Sequence, residues 1–150
     1  MALKARIKDE MKAALLSGDR FVGETLRSLT AAILDEEVKL GKRDEGLSDE
    51  EIEKVVAREV KKRNESAKIY RDNNRPDLAE PEEREIEILQ AYLPKQLDET
   101  ELAAIIEAKI AELSVTGPQA MGQVIGAVKK QVGNAADGAA IARIVKQKLD

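Results

Sequence analysis

Residues 121–149 read M-G-Q-V-I-G-A-V-K-K-Q-V-G-N-A-A-D-G-A-A-I-A-R-I-V-K-Q-K-L, and the period of this stretch decides the fold class. It predicts two short helices around a polar turn. The first runs from about Ala120 to Val132. Gly133 and Asn134 break it, because both residue types tolerate the left-handed backbone that ends helices. Asp137 is the expected N-cap of the second, which lays Ile141, Ile144, Val145 and Leu149 on one face. Gly122 and Gly126 stand four apart on the first helix, and each costs roughly 1 kcal/mol relative to Ala in a helix interior. A protein can carry that cost if another backbone, or a ligand, comes close to that face. The stretch is also basic: Lys129, Lys130, Arg143, Lys146 and Lys148 face only Asp137 and Asp150.

Upstream of this stretch the helical period continues. Asp98 and Glu101 form a capping box, followed by Leu102, Ile105, Ile106, Ile110 and Leu113 at helical spacing. Ser114 to Gly117 is a turn, and Pro118 suits the first position of the next helix. These three helices predict a small C-terminal bundle over residues 95–150. Pro94, in A-Y-L-P-K-Q-L (91–97), should stop the preceding helix and act as a hinge.

Residues 1–94 predict an N-terminal module of four helices. Leu3 to Leu16 carries an apolar stripe of Leu3, Ile7, Met11, Ala14 and Leu15. Asp19 caps a second helix, Arg20 to Leu40, with Val22, Leu26, Leu29, Ile33, Leu34 and Val38 in phase. Arg27 falls among these and is expected to pair with a carboxylate across the bundle. Ser48 and Glu51 form another capping box, and Leu47 is placed to staple onto Ile52. The third helix ends at Asn73-Asn74-Arg75-Pro76, and its basic residues Arg58, Lys61, Lys62, Arg63, Lys68 and Arg71 read as a charged surface. A fourth helix spans about Asp77 to Tyr92. It starts either at Pro81 or from an Asp77 cap. The run Glu80, Glu82, Glu83, Glu85 and Glu87 reads as a solvated helix face near a positive helix end, not as a metal or acid–base site.

Composition narrows the chemistry. The chain has no Cys and no His, which excludes thiol or imidazole nucleophiles, Cys/His zinc sites and disulfides. Gly41-Lys42 lacks the leading glycine and the preceding strand of a phosphate loop. No nucleophile–base pair can be assembled, so no catalytic residue, cofactor or metal is expected. A net charge of −4 argues against coating nucleic acid over the whole surface, but a local basic patch remains compatible with it. With aromatics at 2%, stacking of exposed bases on rings is also disfavoured. No apolar run approaches a membrane span or a leader, and a cytoplasmic protein without membrane contact is the expectation.

The pattern G-x-V-I-x-x-x-K-K (122–130), A-A-D-G (135–138) and I-V-K-x-K-L (144–149) resembles the tail domain of the B subunit of tRNA-dependent amidotransferases. It resembles more closely the free-standing YqeY family, which shares that tail. T-L-R-S-L-T-A-A-I (25–33), K-K-R-N-E-S (61–66) and A-Y-L-P-K-Q-L extend the likeness over the whole chain. The resemblance implies an all-α protein and a tail that binds tRNA, with the amidotransferase's catalytic domain absent.

Two readings of function follow. In the first, a non-catalytic helical protein binds tRNA or other structured RNA through Gly122, Gly126, Lys129, Lys130, Arg143, Lys146 and Lys148. Helix N-termini near Pro118 and Asp137 add N–H donors, although the Asp137 carboxylate opposes an anion there. In the second, the chain is a partner or scaffold of an amidotransferase or translation enzyme. A carbon–nitrogen ligase activity with glutamine as amide donor attaches only through the family label.

Overall fold

The computed structural model describes residues 2–150. It contains seven α-helices and no strand among the described residues. The chain divides into two compact units, one ending at Leu93 and the other beginning at Pro94.

The N-terminal unit contains α1 (Ala2–Leu16), α2 (Arg20–Lys39), α3 (Asp49–Asp72) and α4 (Pro76–Gln90). Asp19 caps α2 by accepting from the Val22 N–H at 3.3 Å. Ser48 and Glu51 close the capping box at the start of α3 in both directions, and Leu47 and Ile52 lie fully buried in one core. That core is filled by Ile7, Leu26, Leu29, Ile33, Val55, Val56, Val60, Ile86 and Leu89. Where α1 meets α2, glycine at position 23 leaves room for the Leu15 side chain. A Cβ there would stand 2.4 Å from Leu15 Cδ2 and 2.8 Å from its Cγ. Ala67 and Ala79, both buried, mark the part of α3 and α4 beyond the large apolar residues.

One charge lies inside this core. Glu37 is 1% exposed. Its carboxylate accepts from Lys4 Nζ at 2.6 Å and from the Leu47 N–H at 3.2 Å, joining α1, α2 and the segment that opens α3. Burial pushes its carboxyl up, but the Lys4 hydrogen bond, the Leu47 N–H and the charges of Lys4 and Lys8 outweigh that and hold it below the usual range. Glu51 is held lower, at about 2, first by the Lys42 hydrogen bond and then by the Ser48 N–H. Tyr92, just past α4, is buried; its hydroxyl donates to Glu10, and the Arg6 guanidinium lies 4.8 Å from the ring centroid.

Several sequence expectations are corrected in this unit. Leu34 and Val38 are 44% and 58% exposed, because the buried stripe of α2 runs through Leu26, Leu29, Ile33 and Glu37 instead. Arg27 pairs with Glu24 at 3.3 Å on its own helix, not across the bundle. Helix α4 begins with Pro76 at its first position, and Pro81 lies inside it. Pro81 cannot donate to the Asp77 carbonyl, and both residues are exposed, so water can take that acceptor. The N-cap position belongs to Arg75 and not to Asp77, whose carboxylate takes a two-pronged contact from Arg75, 3.1 Å on each prong. Four of the basic residues of α3 are neutralised: Arg58 by Glu36, Lys62 by Glu59, Arg63 by Glu59 and Glu85, and Arg71 by Glu83.

The C-terminal unit contains α5 (Glu99–Leu113), a 3-10 turn (Pro118–Ala120), α6 (Met121–Val132), a second 3-10 turn (Gly133–Ala135) and α7 (Gly138–Leu149). Pro118 therefore opens the short turn leading into α6, not α6 itself. The Asp98–Glu101 capping box forms as expected. Leu102 and Ile106 from α5, Val124 and Val128 from α6, and Ile141, Ile144, Val145 and Leu149 from α7 make the core.

Acid should loosen the N-terminal unit through Glu37 and Glu51. A carboxylate with a depressed folded pKa binds fewer protons folded than unfolded. Its stabilisation is complete above the ordinary 4.5 and drains as pH falls through the lowered folded pKa, which for Glu51 lies at about 2. Glu37→Ala should cost about 3 kcal/mol at neutral pH, through the lost pair and the orphaned Leu47 N–H. Urea unfolding at pH 7 and pH 3 checks both effects. A Glu37→Ala protein as stable as the parent at pH 7 would remove the central role given to this residue.

Candidate nucleic-acid interface

The C-terminal unit holds seven Lys/Arg and seven Asp/Glu, so the formal charge of −4 resides in the N-terminal unit. Within the C-terminal unit the charges are segregated. Helix α5 bears Glu99, Glu101, Glu107 and Glu112 and one lysine, Lys109, which Glu112 binds at 2.9 Å. Helices α6 and α7 together bear Lys129, Lys130, Arg143, Lys146 and Lys148 and no carboxylate. Lys129 and Lys130 of α6 and Lys146 and Lys148 of α7 fall in the last turns, where the carbonyl ends of both helices favour positive charge, and Arg143 lies mid-helix in α7.

The core side of α6 is fixed by Val124 and Val128, with Met121, Ile125 and Val132 packed beside them. Helical geometry then puts Gly122, Gly126, Lys129 and Lys130 on the opposite side. All four are exposed. A Cβ added at Gly122 or Gly126 would have no neighbour within 4 Å. The expectation that these glycines let two helices cross is therefore corrected: among the described residues nothing crosses there. The glycine that does permit close approach is Gly23, which the sequence reading passed over. Its signal was present in retrospect, as a glycine among apolar residues on the inner face of α2.

The structure sorts the five predicted cations. Arg143 pairs with Glu99, and Lys148 pairs with Glu107 at 2.5 Å. Lys129, Lys130 and Lys146 are exposed and make no ion pair among the described residues. Lys129 lies along the start of α7, its Nζ 3.5 Å from the place of a Cβ on Gly138. Asp137 occupies the N-cap position of α7, but its side chain makes no capping hydrogen bond, contrary to the expected cap. The positive end of α7 and the Lys129 ammonium therefore stand side by side. Lys146 lies about 12 Å further along α7, from the helical rise.

The turn between α6 and α7 is held from outside. Gly133 ends α6 at φ 55, as the sequence predicted, whereas Asn134 is not left-handed and continues into the 3-10 turn. The Leu97 N–H donates to the Ala135 carbonyl at 2.8 Å, and Gln96 Nε2 donates to the Asn134 carbonyl at 3.0 Å. These two bonds fix the turn that separates Lys129 and Lys130 from α7.

Residues 4–149 match the family model described as Yqey-like protein. The chain belongs to the YqeY family. Among its relatives is Altered inheritance of mitochondria protein 41, mitochondrial, of Eremothecium gossypii, 35% identical over 115 residues, or 75% of this chain and 61% of the relative. The protein of the same name in Clavispora lusitaniae is 34% identical over 101 residues, 65% of this chain and 57% of the relative. That of Lachancea thermotolerans is 30% identical over 116 residues, 76% and 61%. The YqeY chain thus spans about three fifths of the length of the curated relatives it matches. Their names place those relatives in mitochondria. Among the described residues no helix is long and apolar enough to cross a membrane, and no three His, Cys, Asp or Glu side chains are grouped to hold a metal ion.

Two glycine substitutions should move stability in opposite directions. Gly126→Ala should stabilise by about 1 kcal/mol, since the added methyl meets open space and the helix gains propensity. Gly23→Val should cost about 2 kcal/mol or more through overpacking against Leu15. Thermal unfolding followed by far-UV circular dichroism reads both. Loss of stability in Gly126→Ala would mean that something packs on that face after all.

Proposed function

We propose that this YqeY protein is a non-catalytic RNA-binding protein that grips tRNA or a similarly structured RNA through α6 and α7. One observation carries the reading: the side of α6 bearing Gly122, Gly126, Lys129 and Lys130 is open, with no side chain over the glycines and no carboxylate on the lysines. A smooth helix face lets a sugar–phosphate backbone come close, and unpaired ammonium groups supply its counter-charge. The side-by-side placement of Lys129 and the positive end of α7 favours an anion at the α6–α7 turn, against the opposing charge of the exposed Asp137 at that helix end. The likeness of this tail to that of the amidotransferase B subunit points to tRNA among structured RNAs. Recognition of this kind reads helical shape and phosphate position and leaves base sequence unread.

A protein partner is the competing reading. It is favoured by the exposed strip Ala31, Leu34 and Val38 on α2 of the N-terminal unit. Capture of partners with and without nuclease treatment separates the two, since an RNA-mediated partner disappears with the RNA.

Titration of labelled bulk tRNA into the protein should give saturable binding whose affinity falls steeply with salt. Changing Lys129, Lys130 and Lys146 together to Glu should weaken it at least tenfold at about 100 mM salt and flatten the log–log salt slope by about two to three, near 0.9 per lost phosphate contact. Binding that is absent, or indifferent to the triple change, would end the proposal.

A further inference from the structure

The three unpaired lysines are only part of the cationic equipment of α6 and α7. The other two cations are engaged by α5, and the engagement is one-sided. Glu99 and Glu107 project from a helix whose single lysine is already bound by Glu112, so neither has a competing cation on its own helix. Arg143 and Lys148 have no second carboxylate partner among the described residues. All four side chains are exposed: 48% and 72% for Arg143 and Glu99, 38% and 58% for Lys148 and Glu107. Pairs this open to water and salt hold weakly. They are strong enough to cancel local charge and weak enough to exchange partners.

We propose that Glu99 and Glu107 are negative determinants of the anion-binding surface: they mask Arg143 and Lys148 and confine the resting positive face to Lys129, Lys130 and Lys146. The proposal rests on the reading of α6 and α7 as an RNA-binding surface. A phosphodiester that reaches Arg143 or Lys148 must displace a carboxylate, and that carboxylate then stays within the roughly 8 Å over which charges are felt at physiological salt. A short or irregular polyanion that touches only α6 gains nothing from the masked pair. A longer, properly shaped RNA that covers α7 as well can afford the exchange. The α5 carboxylates thus lower affinity most for a polyanion that spans both helices, and leave one confined to α6 less affected.

The test is the double variant Glu99→Gln, Glu107→Gln, titrated with the same bulk tRNA across salt concentrations. Unmasking should tighten binding about three- to tenfold at about 50 mM salt. It should also steepen the log–log slope by about one to two, at roughly 0.9 for each recruited cation in a duplex contact. The same two changes in a background of Arg143→Ala, Lys148→Ala should have no such effect, because nothing remains to be unmasked. Equal tightening in that background would show a general repulsion by α5 and overturn the masking. Parental tRNA binding with an unchanged slope in the Gln variant would overturn it too, and leave the RNA reading standing. Absence of saturable binding in both proteins would sink the RNA reading and the masking together. Unfolding curves of the variants should superimpose on the parent's, since exposed pairs contribute little to folding.

Discussion

The N-terminal unit turns on a single carboxylate placed where water cannot follow. Glu37 sits at 1% exposure among leucine, isoleucine and valine, a position that strongly disfavours an isolated charge. Its tolerance there comes from Lys4, whose ammonium reaches in from α1 with a partly wet stem, and from the Leu47 N–H. The three bonded groups belong to three different stretches of chain. Leu47 is itself buried, and the Ser48 capping box follows directly. One ion therefore ties the start of α1 to the end of α2 and sets where α3 begins. An apolar residue of the same volume could fill the space, but it could not specify which N–H and which lysine must arrive.

The two units use charge in different ways. In the N-terminal unit most cations of α3 are spent on carboxylates of α2, α3 and α4, with Arg63 half sunk between Glu59 and Glu85. Those pairs lie within α3 or link it to α2 and α4, and leave little unpaired positive charge on that surface. In the C-terminal unit apolar side chains alone build the core, and no buried polar or charged residue interrupts it. Its charges are left on the outside, sorted by helix into an anionic α5 and cationic α6 and α7. A small bundle stabilised by aliphatic packing can carry such a separation without risking its fold.

Much of the architecture was legible from the residues, and the reason is local chemistry. Both capping boxes, the Asp19 cap, the Gly133 break and the inner faces of α5, α6 and α7 are set within four or five residues of sequence. The misjudged features depend on partners that a linear pattern does not name. Leu34 and Val38 are in phase with a helix, but the side that is buried was decided by where α1 and α3 lie. Arg27 had a carboxylate one turn back and needed none across the bundle. Pro81 left two starts open, and the one with the proline inside the helix holds because the orphaned Asp77 carbonyl is exposed to water, which sequence does not reveal. For the candidate site, the cations and the paired glycines were visible, yet their accessibility was not: Arg143 and Lys148 meet α5 carboxylates 44 and 41 positions away, and the open space over Gly122 and Gly126 is a property of the fold.

The scarcity of rings in the core has a practical corollary. Phe21, Tyr70 and Tyr92 all precede Pro94, and the chain has no tryptophan. Near-ultraviolet absorbance and intrinsic emission therefore come from the first unit only, and the bundle that carries the open α6 face is optically silent at those wavelengths. A probe reporting on tyrosine has its reporters in the N-terminal unit and none in α5 to α7. A tryptophan placed at an exposed position of α7, such as Gln147, would give that bundle an optical signal of its own.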